Sequence, residues 1–181
     1  MDSFGDTLIL TYGWDLAVNQ QISLTLNRSD NKFKTTDSGE GYLNQLGFDR
    51  VFRPETEPEP EDHLLGSMLI KGVAYGLKNE FRAALQLLTQ AEADAIKDMV
   101  TLQRSTGRLI RLSDRILPYA EPAPRTRPIS LAYANPHPNP GMVYYYADFL
   151  VWLRIASIQI FDCDRWEMDL VATEYDKPLN P

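Results

Sequence analysis

The chain has 181 residues, 44% of them hydrophobic and 24% charged, which fits one folded domain and excludes general disorder. Lys and Arg number 18 against 25 Asp and Glu, and the resulting formal charge of -7 repels phosphate backbones and anionic lipid. We therefore expect neither nucleic acid nor a membrane as a partner. The single cysteine, Cys163, excludes an intrachain disulfide, so packing or association must stabilise the fold.

The first third of the chain predicts two strands followed by loop. Apolar residues 8–10 indicate a short strand, and residues 21–28 alternate apolar with polar side chains, as a half-buried strand does. Turn-forming Asp, Asn, Ser and Gly residues predict an exposed loop or a mobile hairpin over 29–47. Residues 54–62 contain three prolines and five acidic residues, and we interpret them as an acidic, proline-rich surface linker.

The middle of the chain predicts a helix between strands. Alternation over 69–77 and the apolar run 81–88 indicate two strands, with Lys78, Asn79 and Glu80 as the turn between them. A helix is expected to begin at Thr89, because Thr89 and Glu92 have the spacing of a capping box. It should end at Gly107 and bury one face, composed of Ala95, Ile96, Met99, Val100 and Gln103.

Alternation resumes after the predicted helix. Ile110 and Leu112 are expected to face inward, which completes a local β-α-β unit. Seven prolines then crowd residues 118–140, which we predict to form an extended, irregular arm without a central strand. Residues 144–160 and 165–175 predict a terminal hairpin that turns at Asp162–Asp164 and directs one face inward, composed of Trp166, Met168, Leu170 and Ala172.

Motifs for catalysis, metal binding and phosphate binding are not evident. Neither histidine, His63 or His137, lies near a nucleophile motif. The acidic residues around 162–169 lack the glycine and spacing of a calcium loop, and Cys163 lacks partners spaced for zinc. We therefore expect no enzyme activity, no cofactor, no metal and no small-molecule substrate.

Arginines and tyrosines supply the candidate contact residues. Arginines between 104 and 127 form a basic cluster in an otherwise acidic chain. The cluster could bind nucleic acid or an acidic neighbouring protein, and the negative overall charge favours the acidic neighbour. The tyrosines, with Trp152, suit core and interface, or stacking on sugar or peptide in a binding module. The predicted intersubunit contact residues are Arg108, Arg111, Arg125, Arg127, Tyr144, Tyr145 and Tyr146.

The strand, capped helix and strand over 81–114, and the ending over 166–176, resemble the tail-tip proteins of tailed phages, the minor tail and distal tail protein group. That resemblance implies a mainly β fold with one short helix, a β-sandwich or split β-barrel core with long loops. It also implies a structural protein of the virion, assembled in the host cytoplasm as a homo-oligomeric ring with other tail or baseplate proteins. The group carries no catalytic residues.

Overall fold

The computed structural model describes residues 7–27, 30, 32, 48–53, 78–119, 130–136, 143–162 and 164–175. Its elements are β1 (Thr7–Tyr12), a 3-10 turn (Val18–Gln20), β2 (Ile22–Asn27), β3 (Phe48–Arg53), β4 (Lys78–Thr89), α1 (Gln90–Thr106), β5 (Ile110–Tyr119), β6 (Ser130–Pro136), β7 (Val143–Asp162) and β8 (Arg165–Glu174). The predicted fold class, mainly β with one helix, is confirmed.

The strands form one antiparallel sheet in the order β2-β1-β5-β7-β8-β4-β3, with β6 attached to β7, and the sheet curls into a half-barrel. Its axis is β7, which is 20 residues long. Residues 145–148 of β7 lie between β5 on one edge and β6 on the other, and residues 151–162 continue along β8. Because Val151 pairs with both β5 and β8, β6 and β8 share the β7 edge that lies opposite β5.

The core lies between one face of this sheet and α1. We call the sheet face that carries Leu10, Leu112 and Phe149 the inner face and the opposite one the outer face. The helix contacts β2, β4, β7 and β8. Its buried residues confirm the predicted face, with Ala93 buried where Ala95 was expected: Ala93, Ile96, Met99, Val100 and Gln103.

The predicted hairpin and the alternation of β5 are also confirmed. β7 and β8 pair from Val151 and Glu174 to Asp162 and Arg165, and the expected side chains of β8 face inward. Trp166 is packed against the core at its rim, where its indole nitrogen donates to Gln90 Oε1 over 2.9 Å. The strands predicted at 8–10, 21–28 and 81–88 are present as β1, β2 and β4.

Two sequence predictions about the middle of the chain are wrong. Lys78–Glu80 is not a turn, since these residues begin β4 and pair with Arg53, Phe52 and Val51 of β3. Backbone pairing with a neighbouring strand outweighs their turn propensity, and Glu80 is held by Arg82 at 2.8 Å. The expected β-α-β unit also differs, because β4 and β5 run antiparallel and are separated by β8 and β7.

The predicted proline-rich arm contains a strand. Residues 130–136 form β6 and pair with β7, so this part is not irregular. Its only proline, Pro136, is the last residue of the strand, where the missing amide donor interrupts no interior hydrogen bond. Residues 120–129 and 137–142 of the arm, the linker at 54–62, the strand expected over 69–77 and most of the 29–47 loop lie outside the described residues.

The start of α1 is tied to a distant part of the chain. The capping box is present: Glu92 N donates to Thr89 Oγ1, and Thr89 N donates to Glu92 Oε2 over 2.8 Å. Lys32 Nζ lies 2.7 Å from the same carboxylate and also donates to Leu87 O over 2.9 Å. Leu87 is in a β-bulge of β4 and has a φ of 55°, so Lys32 stabilises a strained backbone and a helix terminus together.

We expect Gly107→Ala to lower the free energy of unfolding by about 1 kcal/mol, the cost of the left-handed conformation for an L-residue. Gly107 has a φ of 68°, and no atom lies within 4 Å of an added Cβ, so the cost is purely conformational. Gly107→Asn should lose less. Urea unfolding of the three proteins measures the effect; an alanine variant as stable as the parent would contradict it.

Glu92 predicts an acid-sensitive contribution to stability. Burial alone would raise the pKa of this carboxyl, but hydrogen bonds from Lys32 and Thr89 outweigh burial and lower the pKa below its ordinary 4.5. A lowered folded pKa gives stability that is present above the unfolded value and lost as pH falls through the folded value. Urea unfolding between pH 7 and pH 3 should therefore show Glu92→Gln losing less stability on acidification than the parent, and equal losses would contradict this assignment.

Candidate functional site

A buried carboxylate between two arginines lies on the outer face, where β5 and β7 pair. Asp148 is only 2% exposed, and Ser113 is its register partner. Arg111 and Arg115 lie two positions before and two positions after Ser113, and both reach the Asp148 carboxylate diagonally across the strand pair. Arg111 forms an ion pair with Asp148 Oδ2, and Arg115 Nη2 lies 2.8 Å from Asp148 Oδ1. Strand alternation explains the arrangement, since residues i and i+4 share a face. We call these three charged residues the outer cluster.

The outer cluster satisfies a charge that would otherwise be costly to bury. Arg115 also donates to the carbonyl oxygens of Asp114 and Ala147 over 3.3 and 3.5 Å, and its guanidinium lies 5.8 Å from the Tyr146 ring centre. The arginine side chains remain about a quarter to a third exposed. They carry one net positive charge to the surface, in an orientation fixed by the sheet.

Arg108 lies away from the outer cluster. It lies between α1 and β5 and forms an ion pair with Asp15, in the connection between β1 and β2. The hydrogen bond with Asp15 raises the pKa of Arg108 above its ordinary value. Tyr12 Oη and Thr106 Oγ1 are 3.0 Å apart nearby, so both contacts fasten the end of the helix to the β1–β2 corner.

The three tyrosines lie where β7 is paired on both sides. Tyr145 is in register with Tyr119 of β5 and Tyr133 of β6, Tyr144 pairs with Asn135, and all three tyrosines are half-buried. The structure thus brings Arg111 and Tyr146 near Arg115, keeps Arg108 apart, and does not describe Arg125 or Arg127. The predicted contact set omitted Asp148 and Arg115, although arginines at i and i+4 of an alternating strand signal a shared face.

Exposed aromatic side chains lie further along the outer face. Trp152 is 38% exposed and pairs in register with Thr173, and Tyr175, 50% exposed, continues β8 by donating its backbone N–H to Leu150 O over 2.9 Å. By strand alternation, Trp152 and Tyr175 are diagonal neighbours on one face, and the exposed Arg154 follows Trp152 on that face. We call Trp152, Arg154 and Tyr175 the aromatic patch. Sequence reasoning had not selected Tyr175 or Arg154.

The described residues were compared with the requirements of a ligand cavity, a metal site and a membrane-spanning helix. A cavity of about 10 Å³ within the core has room for a single water at most, and its lining is apolar: Leu8, Leu10, Phe81, Ala83, Leu112, Leu153, Leu170 and Ala172. Within the described ranges no group of three His, Cys, Asp or Glu side chains is placed to hold a metal ion. No helix in that part of the chain combines the length and apolar composition needed to cross a membrane.

Comparison of the chain with protein-family models, with curated proteins and with solved structures finds no match.

We expect Asp148→Asn to lower the free energy of unfolding by about 2 kcal/mol, since loss of a buried partner costs several kcal/mol and the partly exposed arginines are partly screened by water. Asp15→Asn is the matched control, because it removes the acid of an exposed ion pair and should change stability little. Urea unfolding at neutral pH compares them, and equal losses in the two variants would contradict the structural role of Asp148.

Proposed function

We propose that the chain is a structural subunit of a tailed-phage tail-tip or baseplate assembly, without catalytic activity. In this role it associates with further copies in a ring and holds neighbouring tail proteins. The aromatic patch is the observation that carries the proposal of a subunit. Trp, Tyr and Arg are the residue types enriched at the energetically important centres of protein interfaces.

The setting of the patch suits a contact surface. Trp152 stands on β7 in the middle of the sheet, and Tyr175 directly follows β8 and is held to Leu150 by its backbone amide, so their backbone positions are fixed before a partner arrives. Binding a preorganised aromatic surface costs less conformational entropy than ordering a loop. The outer cluster lies beside it, because Arg111 is the register partner of Leu150, and Leu150 accepts the Tyr175 amide. A partner covering both would meet aromatic rings next to positive charge.

The tail-tip assignment is supported by the sequence resemblance. The elements that carry it are the β4–α1–β5 succession with its capped helix, and β8, which ends at Glu174. The same proposal places the protein in the virion after assembly in the host cytoplasm. It also assigns part of the intersubunit contact to residues 118–146. Residues 118–119, 130–136 and 143–146 belong to β5, β6 and β7, so the arm contact is proposed for residues 120–129 and 137–142.

A carbohydrate- or peptide-binding module is the second candidate. Adjacent exposed Trp and Tyr rings on a rigid sheet can stack on a sugar face as well as on a protein side chain. The two functions differ in the free state of the protein: a subunit associates, whereas a module remains a monomer that binds the ligand.

Trp152→Ala combined with Tyr175→Ala tests the proposal. We expect the double variant to associate at least tenfold more weakly, since truncating an interface anchor costs about 2 kcal/mol or more. The measurements are the concentration dependence of the mass in solution and incorporation into particles when the variant replaces the parent chain. Val18→Ala is the matched control, because Val18 is 84% exposed on the 3-10 turn and outside the sheet.

Unchanged association and incorporation of the double variant would overturn the role of the patch. A parent protein that stays a monomer and binds oligosaccharide through Trp152 would instead favour the binding module.

A further inference from the structure

The last part of β7, residues 154–162, has a strand neighbour on one edge only among the described residues. β8 pairs with it as far as Asp162, but β5 begins at Ile110, opposite Val151. At Leu153 a side chain takes the place of a strand: Gln103 Nε2 donates to Leu153 O over 2.9 Å, and Leu153 N donates to Gln103 Oε1 over 3.0 Å. We call the unpaired side of residues 154–162 the β7 edge.

The β7 edge lacks the features that usually prevent strand pairing. The seven residues between Arg154 and Asp162 contain no charge and no proline. Ile158 and Ile160, which pair with Met168 and Trp166 on the inner face, are 41% and 64% exposed. Uncharged, β-branched segments of this kind readily pair with another strand.

The polar side chains of the segment are already occupied. Ser157 Oγ donates to Asp169 Oδ2 over 2.5 Å, and Gln159 Nε2 donates to Glu167 Oε2 over 2.5 Å. Both contacts cross to β8 on the outer face. The isoleucines and the backbone of the β7 edge are therefore the groups left to meet a partner strand.

The charges at the two ends of the segment identify that partner. Arg154 lies four residues before Ile158, and Asp162 lies four residues after it. Antiparallel pairing of two copies about Ile158 places position 154 of each copy opposite position 162 of the other. Within one chain, position 154 pairs with Val171 and position 162 pairs with Arg165, and these two residues share one face of β8. Positions 154 and 162 of different copies would therefore meet on the same face of the joined sheet.

Alternative arrangements of two copies lose this match. Parallel, in-register pairing would set Arg154 against Arg154 and Asp162 against Asp162, and directly opposed like charges are destabilising. The antiparallel arrangement gives two opposite-charge pairs and closes on itself, so it ends at a dimer and does not continue into a fibre.

We propose that the β7 edge binds the β7 edge of a second copy, antiparallel about a two-fold axis at Ile158, to make one sheet continuous across two chains. Pairing about Ile158 sets Ile160 opposite the irregular position 156, so regular pairing is confined to Ser157–Gln159, where Ile158 meets its own copy and Ser157 meets Gln159. Ile158 and Ile160 of both chains then form one apolar strip. The β7 edge shares Arg154 with the aromatic patch but contains neither Trp152 nor Tyr175, so variants of those two residues test the proposed function without changing the β7 edge.

A charge exchange tests the register. Arg154→Glu and Asp162→Arg each create two like-charge pairs between the chains of a dimer, and we expect each to weaken dimerisation about tenfold at low ionic strength. The variants and the parent used for comparison all carry Arg165→Gln, so that position 162 does not oppose an arginine of its own chain. The double variant, Arg154→Glu with Asp162→Arg, reverses both signs and should recover dimerisation to within about threefold of the parent. Sedimentation equilibrium measures the dimer dissociation constant, and circular dichroism verifies that each variant is folded.

A cross-link tests the axis. Ile158→Cys in a Cys163→Ser background should form a covalent dimer on oxidation, because opposed residues of antiparallel strands have Cα atoms about 4.5–5.5 Å apart, within reach of a disulfide. Thr25→Cys in the same background is the matched control, at an exposed position of β2 at the other end of the sheet. We expect little cross-linking of the control.

Three results would overturn the proposal: a parent protein that is monomeric at about 100 µM, a dimer insensitive to both single charge reversals, or equal cross-linking at positions 158 and 25. Association abolished by Trp152→Ala but unaffected by Asp162→Arg would support the aromatic patch and reject the β7 edge. Charge-dependent dimerisation that survives Trp152→Ala would support the β7 edge whatever the patch binds.

Discussion

Continuous backbone pairing along β7 is the constraint on which the rest of the structure depends. A strand of 20 residues cannot keep the same neighbours throughout in a domain of this size, and β7 exchanges β6 for β8 on one edge and loses β5 on the other near Val151. Each change of neighbour exposes backbone groups that must be satisfied. The buried amide of Gln103 does this at Leu153 with one donor and one acceptor. The helix therefore contributes a polar contact to the sheet as well as an apolar face.

Several polar groups are buried on the outer face of the sheet. Glu80, Ser113 and Asp148 are buried on the outer face, opposite the apolar core. Arg82 pairs with Glu80, and two arginines pair with Asp148, so these acids are compensated by partners within the sheet. An arginine held in this way presents fixed geometry to a partner, which a mobile surface arginine does not.

Sequence reasoning identified the local features whose causes are local. The Thr89–Glu92 box, the Gly107 terminus and the alternation of β5 and β8 each depend on residues within a few positions, and all are present. Pairing between distant segments was not predictable in the same way: Lys78–Glu80 resemble a turn until β3 is known to lie alongside. Gln103 was expected on the buried helix face, but its role as a substitute strand depends on where β5 begins. The site follows the same division, because Arg111 and Arg115 share a face by alternation, whereas Asp148 joins them only through the register.

The two proposed contact surfaces have different consequences for assembly. Pairing through the β7 edge is isologous, so it closes after two copies. If the aromatic patch meets a different surface of the next copy, the contact is heterologous and propagates until a ring closes. A chain that used both surfaces would form two rings related by two-fold axes. The β7 edges would join the sheets of one ring to those of the other, and the aromatic patches would make contacts within each ring or with other proteins.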